Sequence, residues 1–146
     1  ACRARTMSDL LRRQKALDAT LKKVRGKPLD WAKGMTCVHM ARFHLRQMGH
    51  KPEPLPRIRS LVGARRALKE RGCDNVTQLL DAQPGLMRIA AAMMLPGDLA
   101  ALASEDGIGS IFVCAGPHKL IGWREDIEEA VVLDLSFDQI EGAWRV

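Results

Sequence analysis

Cys37 is the residue whose neighbours best suit it to chemistry. Trp31 and Gly34 lead to Thr36, a hydroxyl residue suited to cap a helix, and Cys37 then falls in the first turn of a helix that Gly49 stops. A thiol there meets unpaired N–H groups and the positive end of the helix dipole, which predicts a pKa below that of a free cysteine. Cysteine is also among the most often buried residue types, so an inert packed thiol is the competing reading. A thiol nucleophile further needs a general base within hydrogen-bond reach, and usually a third group that orients the base. His39 is rotated about 200° around the same helix and His44 lies about 10 Å along it, so neither suits that role.

The elements that must position Cys37 follow from periodicity. Leu10, Leu17, Leu21 and Val24 recur as one stripe of a helix from Met7 to Arg25, stopped by Gly26 and Pro28. Pro52, Pro54 and Pro56 make Lys51–Arg57 an extended connector. Ser60 caps a helix to Arg71, and Asn75 with Gln78 starts a short helix through Leu80. Leu86–Leu95, rich in Ala and Met, is expected to be a short buried helix. After Pro96 the period changes: Asp98–Ala103, Ile108–Cys114, Lys119–Trp123, Ala130–Leu135 and Ala143–Val146 read as strands of an antiparallel sheet. Helices followed by strands argue an α+β fold, with Trp31 and Trp144 expected to be largely buried.

The 146 residues suffice for one domain with its own core, expected over residues 7–146 after a flexible N-terminus at residues 1–6. The first residues are basic without an apolar run behind them, which argues against a secretory signal, and no stretch is apolar enough to suggest a membrane span. Four cysteines standing singly give neither a zinc spacing nor a disulfide framework, so no metal and no cofactor are expected. Aromatics are only 4% and Tyr is absent, which disfavours a base-stacking surface for nucleic acid. The net charge of +6 hides a split: residues 1–72 hold 19 Lys/Arg against 5 Asp/Glu, and residues 73–146 hold 4 against 12. Either these charges only solvate the surface, or they dock the two halves on each other, on neighbouring copies or on other proteins.

Trp31–Cys37 resembles the nucleophile segment of the NlpC-type, papain-like cysteine peptidases. Arg59–Gly72, the run Pro96, Gly97, Asp98 and Leu99, and the closing Ala143–Val146 resemble a small subfamily encoded among the tail-tip genes of tailed bacteriophages. The resemblance implies a helix packed on a small antiparallel sheet, with Cys37 as nucleophile and Trp31, Gly34, Thr36, Gly97 and Asp98 shaping the site. It also implies a histidine base at the start of the second core strand, after the Gly97–Asp98 turn. That place holds Gly107, Ile108, Gly109 and Ser110, and the single histidine of the sheet half is His118, a candidate displaced base.

The resemblance therefore implies a structural tail-tip component with a peptidase-like fold and a degenerate site, carried in the virion after assembly in the host cytoplasm. Its expected partners are other tail-tip or hub proteins in an oligomeric assembly, with no membrane and no DNA. The alternative is an active peptidase or amidase that degrades peptidoglycan during DNA entry. A weaker alternative, a nucleic-acid-binding or head-completion protein, rests on the basic first half.

Overall fold

The computed structural model describes residues 2–146, with side chains from residue 8 onward. Four helices precede the main sheet: α1 (Cys2–Val24), α2 (Cys37–Gln47), α3 (Leu61–Glu70) and α4 (Val76–Ala82). The strands are β1 (Met87–Ile89), β2 (Leu99–Leu102), β3 (Ser110–Gly116), β4 (Lys119–Gly122), β5 (Val131–Asp134) and β6 (Ile140–Arg145). They form one antiparallel sheet in the order β1-β6-β2-β3-β4-β5. The fold is α+β, as the order of periodicities predicts. The flexible segment expected over residues 1–6 lies outside the residues whose side chains are described; the α1 backbone begins at Cys2.

Local signals set the helix ends. Thr36, Ser60 and Asn75 each accept a hydrogen bond from the backbone N–H three residues on, and Met48 caps α2 before Gly49 turns at φ +92. Side chains alternate across β2, so Leu99 and Ala101 join the core beneath the helices. Ala100 and Leu102 join a second cluster with Phe112, Cys114, Leu120 and Leu135. Trp144 is fully buried, and its Nε1 donates to Asp81 Oδ1 at 2.9 Å.

Two expectations are corrected. Leu86–Leu95 is not a buried helix: it supplies strand β1 and a single helical turn at Ala91–Met93, with Met87 and Met93 exposed. Pairing of β1 with β6 gives these residues ladder partners more than fifty positions away, which outweighs a weak local propensity. The buried face of α1 is also rotated from the leucine stripe. Leu10 is exposed, while Arg13, Ala16, Leu17, Thr20 and Val24 face inward.

Two polar contacts explain that rotation. Arg13, 3% exposed, donates to Asp98 Oδ1 at 2.7 Å, to the carbonyl of Val146 at 2.8 Å and to Asp9 Oδ2 at 2.9 Å. Asp98 is fully buried and also accepts from the N–H groups of Leu95 and Val146. Arg145 Nε lies 2.9 Å from Asp98 Oδ2 as an ionic contact, but it is not aligned as a hydrogen-bond donor. Burial alone would make Arg13 easier to deprotonate; the hydrogen bonds to Asp9 and Asp98 outweigh it and hold the guanidinium charged. Three residues before α2 ends, His44 bridges Thr20 Oγ1 through Nδ1 and the Gly97 carbonyl through Nε2, each at 2.8 Å. The carbonyl can only accept, so in the neutral ring Nε2 carries the proton and Nδ1 accepts from Thr20, whose single hydroxyl proton then turns away from the Ala16 carbonyl 3.0 Å off. Gly97 turns at φ +91 to aim that carbonyl, with the Arg13 side chain packed against it.

Asp98→Asn is expected to cost about 3–5 kcal/mol, because it leaves Arg13 buried against a neutral partner. Thermal denaturation should show Tm falling by roughly 10 °C. Asp134→Asn, which breaks the exposed Lys119 pair, is expected to cost less than about 1 kcal/mol.

Burial, followed by the Arg13 charge, depresses His44 to about 4, against the partly offsetting Gly97 hydrogen bond. The unfolded chain, at the ordinary value of 6.5, therefore binds more protons across that window, and stability falls as pH drops from 6.5 towards 4. The loss approaches about 3 kcal/mol at about 1.36 kcal/mol per unit. Denaturant titrations across this range should show the decline, and His44→Gln, which keeps a donor for Gly97, should flatten it.

Candidate functional site

Residues 26–36 bring the chain from α1 to the start of α2, where Cys37 is the first helical residue. Asp30 and Met35 exchange backbone hydrogen bonds at 2.9 and 2.8 Å, and Gly34 takes φ +66 within that turn, with the His39 ring packed against it. Thr36 Oγ1 accepts from the His39 N–H and meets His39 Nδ1 at 2.7 Å. This turn presents Cys37 to the start of β3 across a cleft of about 330 Å³. The cleft walls are largely apolar, with Leu29, Trp31, Ile58, Leu61, Trp123 and Ile127 among them. Ser104, Asp106 and Ser110 supply its polar atoms near the sheet, and Arg124, Glu125 and Glu128 its rim.

The environment of Cys37 reverses the sequence-based expectation for its titration. Cys37 is half-buried at the cleft edge, and the packing around its sulfur pushes the thiol up, which outweighs the backbone N–H groups of Ile111 and Val38 that favour the thiolate. The negative charge of Asp106 adds to the upward shift, so that carboxylate opposes ionisation of the sulfur. Cys37 is therefore a protonated thiol at neutral pH. Asp106 is itself committed to the loop before β3, where it accepts from Ser104 Oγ and from the Ile108 N–H.

The histidines are all employed elsewhere. None of them lines the cleft. His44 is fully buried behind α2, His39 faces Thr36 and Gly34, and His50 packs against Gly85. His118 is not brought to Cys37. It occupies the β3–β4 turn at φ 60, stacks on Phe137 with ring centroids 4.2 Å apart, and meets the Leu135 carbonyl at 3.2 Å through Nδ1. The cleft lies at the Ser110 end of β3 and the turn at the Gly116 end, six residues or about 20 Å of strand away.

The other expected site residues divide into two groups. Trp31 and Thr36 line the cleft with Cys37; Trp31 is half-buried in its wall, a correction to the expected core position. Gly97 and Asp98 lie among the α1 contacts already described and hold the fold together behind the cleft. The strand-start position where the resemblance places a base holds Ser110, and Trp123, just past β4, fills the cleft on the next strand. Trp123 Nε1 donates to the Lys27 carbonyl at 2.8 Å, which ties β4 to the loop after α1. Its place in the cleft had no sequence signal, since a tryptophan near a strand end reads equally well as core.

Among the described residues, no group of three or more His, Cys, Asp or Glu is arranged to hold a metal ion, and no helix is long and apolar enough to cross a membrane. No curated protein matches the sequence. The crystal structure of the NlpC/p60 domain of the peptidoglycan hydrolase SagA is similar in fold, with a TM-score of 0.58 over 90% of this chain and 97% of that one. The two are 16% identical, a likeness of fold alone. The helix-borne Cys37 set against an antiparallel sheet is thus part of an NlpC/p60-like architecture. The family model of a domain of unknown function, DUF6950, matches residues 10–146, and the chain belongs to that family.

Proposed function

We propose that this protein is a catalytically degenerate NlpC/p60-like domain that serves as a structural component of a bacteriophage tail tip, in contact with other tail-tip or hub proteins. The observation that carries the degenerate reading is the cleft itself: Cys37 shares it with Ser110 and Trp123, with no histidine among the lining residues. Without a base the thiol stays protonated, and without its conjugate acid the leaving amine has no proton donor; one such positioned group is worth roughly 10²–10⁴-fold in rate. The placement in a virion rests on the resemblance of Arg59–Gly72, Pro96–Leu99 and Ala143–Val146 to tail-tip sequences. In this fold those segments are α3, the Gly97–Asp98 turn and the end of β6, which are parts of the scaffold. Keeping the scaffold while losing the base suits a protein retained for its surface.

Purified protein incubated with peptidoglycan should release no peptide fragments, and Cys37→Ala should leave tail assembly intact. Fragment release that is lost in Cys37→Ala would instead establish an active peptidase or amidase.

The thiol makes a separate prediction. Iodoacetamide should alkylate Cys37 more slowly at pH 7 than it does a cysteine in an unstructured peptide, with the rate still climbing above pH 9. Ser110→His places an imidazole at the vacant strand position and should raise the rate at pH 7 by about tenfold or more, through an imidazolium–thiolate pair. Intact-protein mass spectrometry reads both rates.

A further inference from the structure

A second groove lies on the other side of the wall that bounds the Cys37 cleft. The two share Val38, Leu55, Arg71 and Leu79, and the second opens to about 630 Å³. Its floor is apolar, with Ala41, Leu45, Leu80 and Ile111 buried. Its rim is basic: Arg42, Lys51 and Arg71 stand there against the single carboxylate of Glu53. Arg42 uses its Nε on the Glu53 carbonyl, not on the Glu53 side chain.

The loop between β4 and β5 has the complementary chemistry. Residues 124–129 read Arg-Glu-Asp-Ile-Glu-Glu, with the four carboxylates exposed and Ile127 half-exposed among them. The loop is held in shape: Glu125 accepts from the Glu105 N–H at 2.7 Å, the Ile127 N–H donates to Arg124, and Ala130 exchanges backbone hydrogen bonds with Lys27 and Gly26. Ile127 and Glu128 line the Cys37 cleft, so the loop is tied down across the wall from the basic groove of its own chain. Among the described residues, Arg13–Asp98 is the single ion pair that joins the basic first half to the acidic second half. The charges of loop and groove are therefore not spent on each other within one molecule.

We propose that the acidic loop 124–129 of one molecule docks in the basic groove of a second copy, with Ile127 over the apolar floor. Loop and groove are different surfaces, so the contact is head-to-tail and each copy offers both halves; repeated, it closes a ring or extends a row. The proposal deepens the assembly reading by naming a second copy as a partner, and its test involves no peptidoglycan.

Sedimentation velocity of the full chain should show self-association at about 50 mM salt that weakens steeply by about 500 mM, where screening is short-ranged. Asp126→Lys with Glu129→Lys, and separately Arg42→Glu with Lys51→Glu, should each lower association at least about tenfold. Each variant should keep the wild-type circular dichroism spectrum, since Lys51, Asp126 and Glu129 are exposed and Arg42 gives up one surface hydrogen bond, to the Glu53 carbonyl. Mixing the two variants should restore association, because the reversed loop now fits the reversed groove. A wild-type chain that remains monomeric at low salt overturns the proposal, as does association indifferent to both reversals, or a mixture that stays apart. If that monomer still joins other tail proteins, the assembly reading stands and only the second-copy contact falls. Duplex DNA that binds the groove of a chain that does not self-associate overturns it as well, and assigns the basic rim to nucleic acid.

Discussion

A fully buried carboxylate is tolerable only when its charge is compensated and its lone pairs are used, and Asp98 meets both conditions through the first helix, the turn before β2 and the end of the chain. Arg13 reaches it from the first helix, Arg145 and the Val146 N–H from the last strand, and the Leu95 N–H from the turn before β2. The same Arg13 holds the Val146 carbonyl, so one ion pair closes the beginning of the chain onto its end. A pair of this kind is weak evidence of net stability, because desolvation offsets much of the attraction. Its effect is on geometry: the pair fixes α1 against the Gly97–Asp98 turn and the end of β6.

His44 extends that constraint towards the cleft. Its two ring nitrogens bind α1 at Thr20 and the Gly97 carbonyl beside Asp98, so α2 is fixed to the same turn that anchors the ion pair. Cys37 stands at the other end of α2, and its position against β3 is set by how that helix is clamped. The cleft therefore inherits its shape from polar contacts behind it, while its own lining is mostly apolar. This division explains how a thiol can sit on an NlpC/p60-like scaffold without being activated. The scaffold fixes where the sulfur lies; a thiol nucleophile also needs a base within hydrogen-bond reach, and no histidine lines the cleft.

The helix dipole is a weak force beside desolvation. Three kinds of interaction act on Cys37: burial and the Asp106 charge disfavour the thiolate, and nearby backbone N–H groups favour it. Helix-dipole contributions reach only about 0.3–2 kcal/mol. The apolar walls formed by Trp31, Val38 and Trp123 withhold water from the thiolate at a larger cost, so burial prevails. A first-turn cysteine is thus a statement about position, and the walls around it decide its reactivity.

Several features were determined by local sequence. Helix starts at Thr36, Ser60 and Asn75 were readable because a capping side chain acts on an N–H three residues away, and Gly49 stops α2 for a reason contained in its own backbone. The strands after Pro96 were readable from alternation and turns. Other features were decided only by the tertiary structure. Leu86–Leu95 became an edge strand because β6, remote in sequence, offered it hydrogen bonds. Arg13 and Thr20 point inward because Asp98 and His44 wait there, and a charged residue on a helix gives no local sign of a buried partner 85 positions away. Sequence alone left His118 a candidate near the site; the length of β3 separates it, since antiparallel strands put successive turns at opposite ends of the sheet.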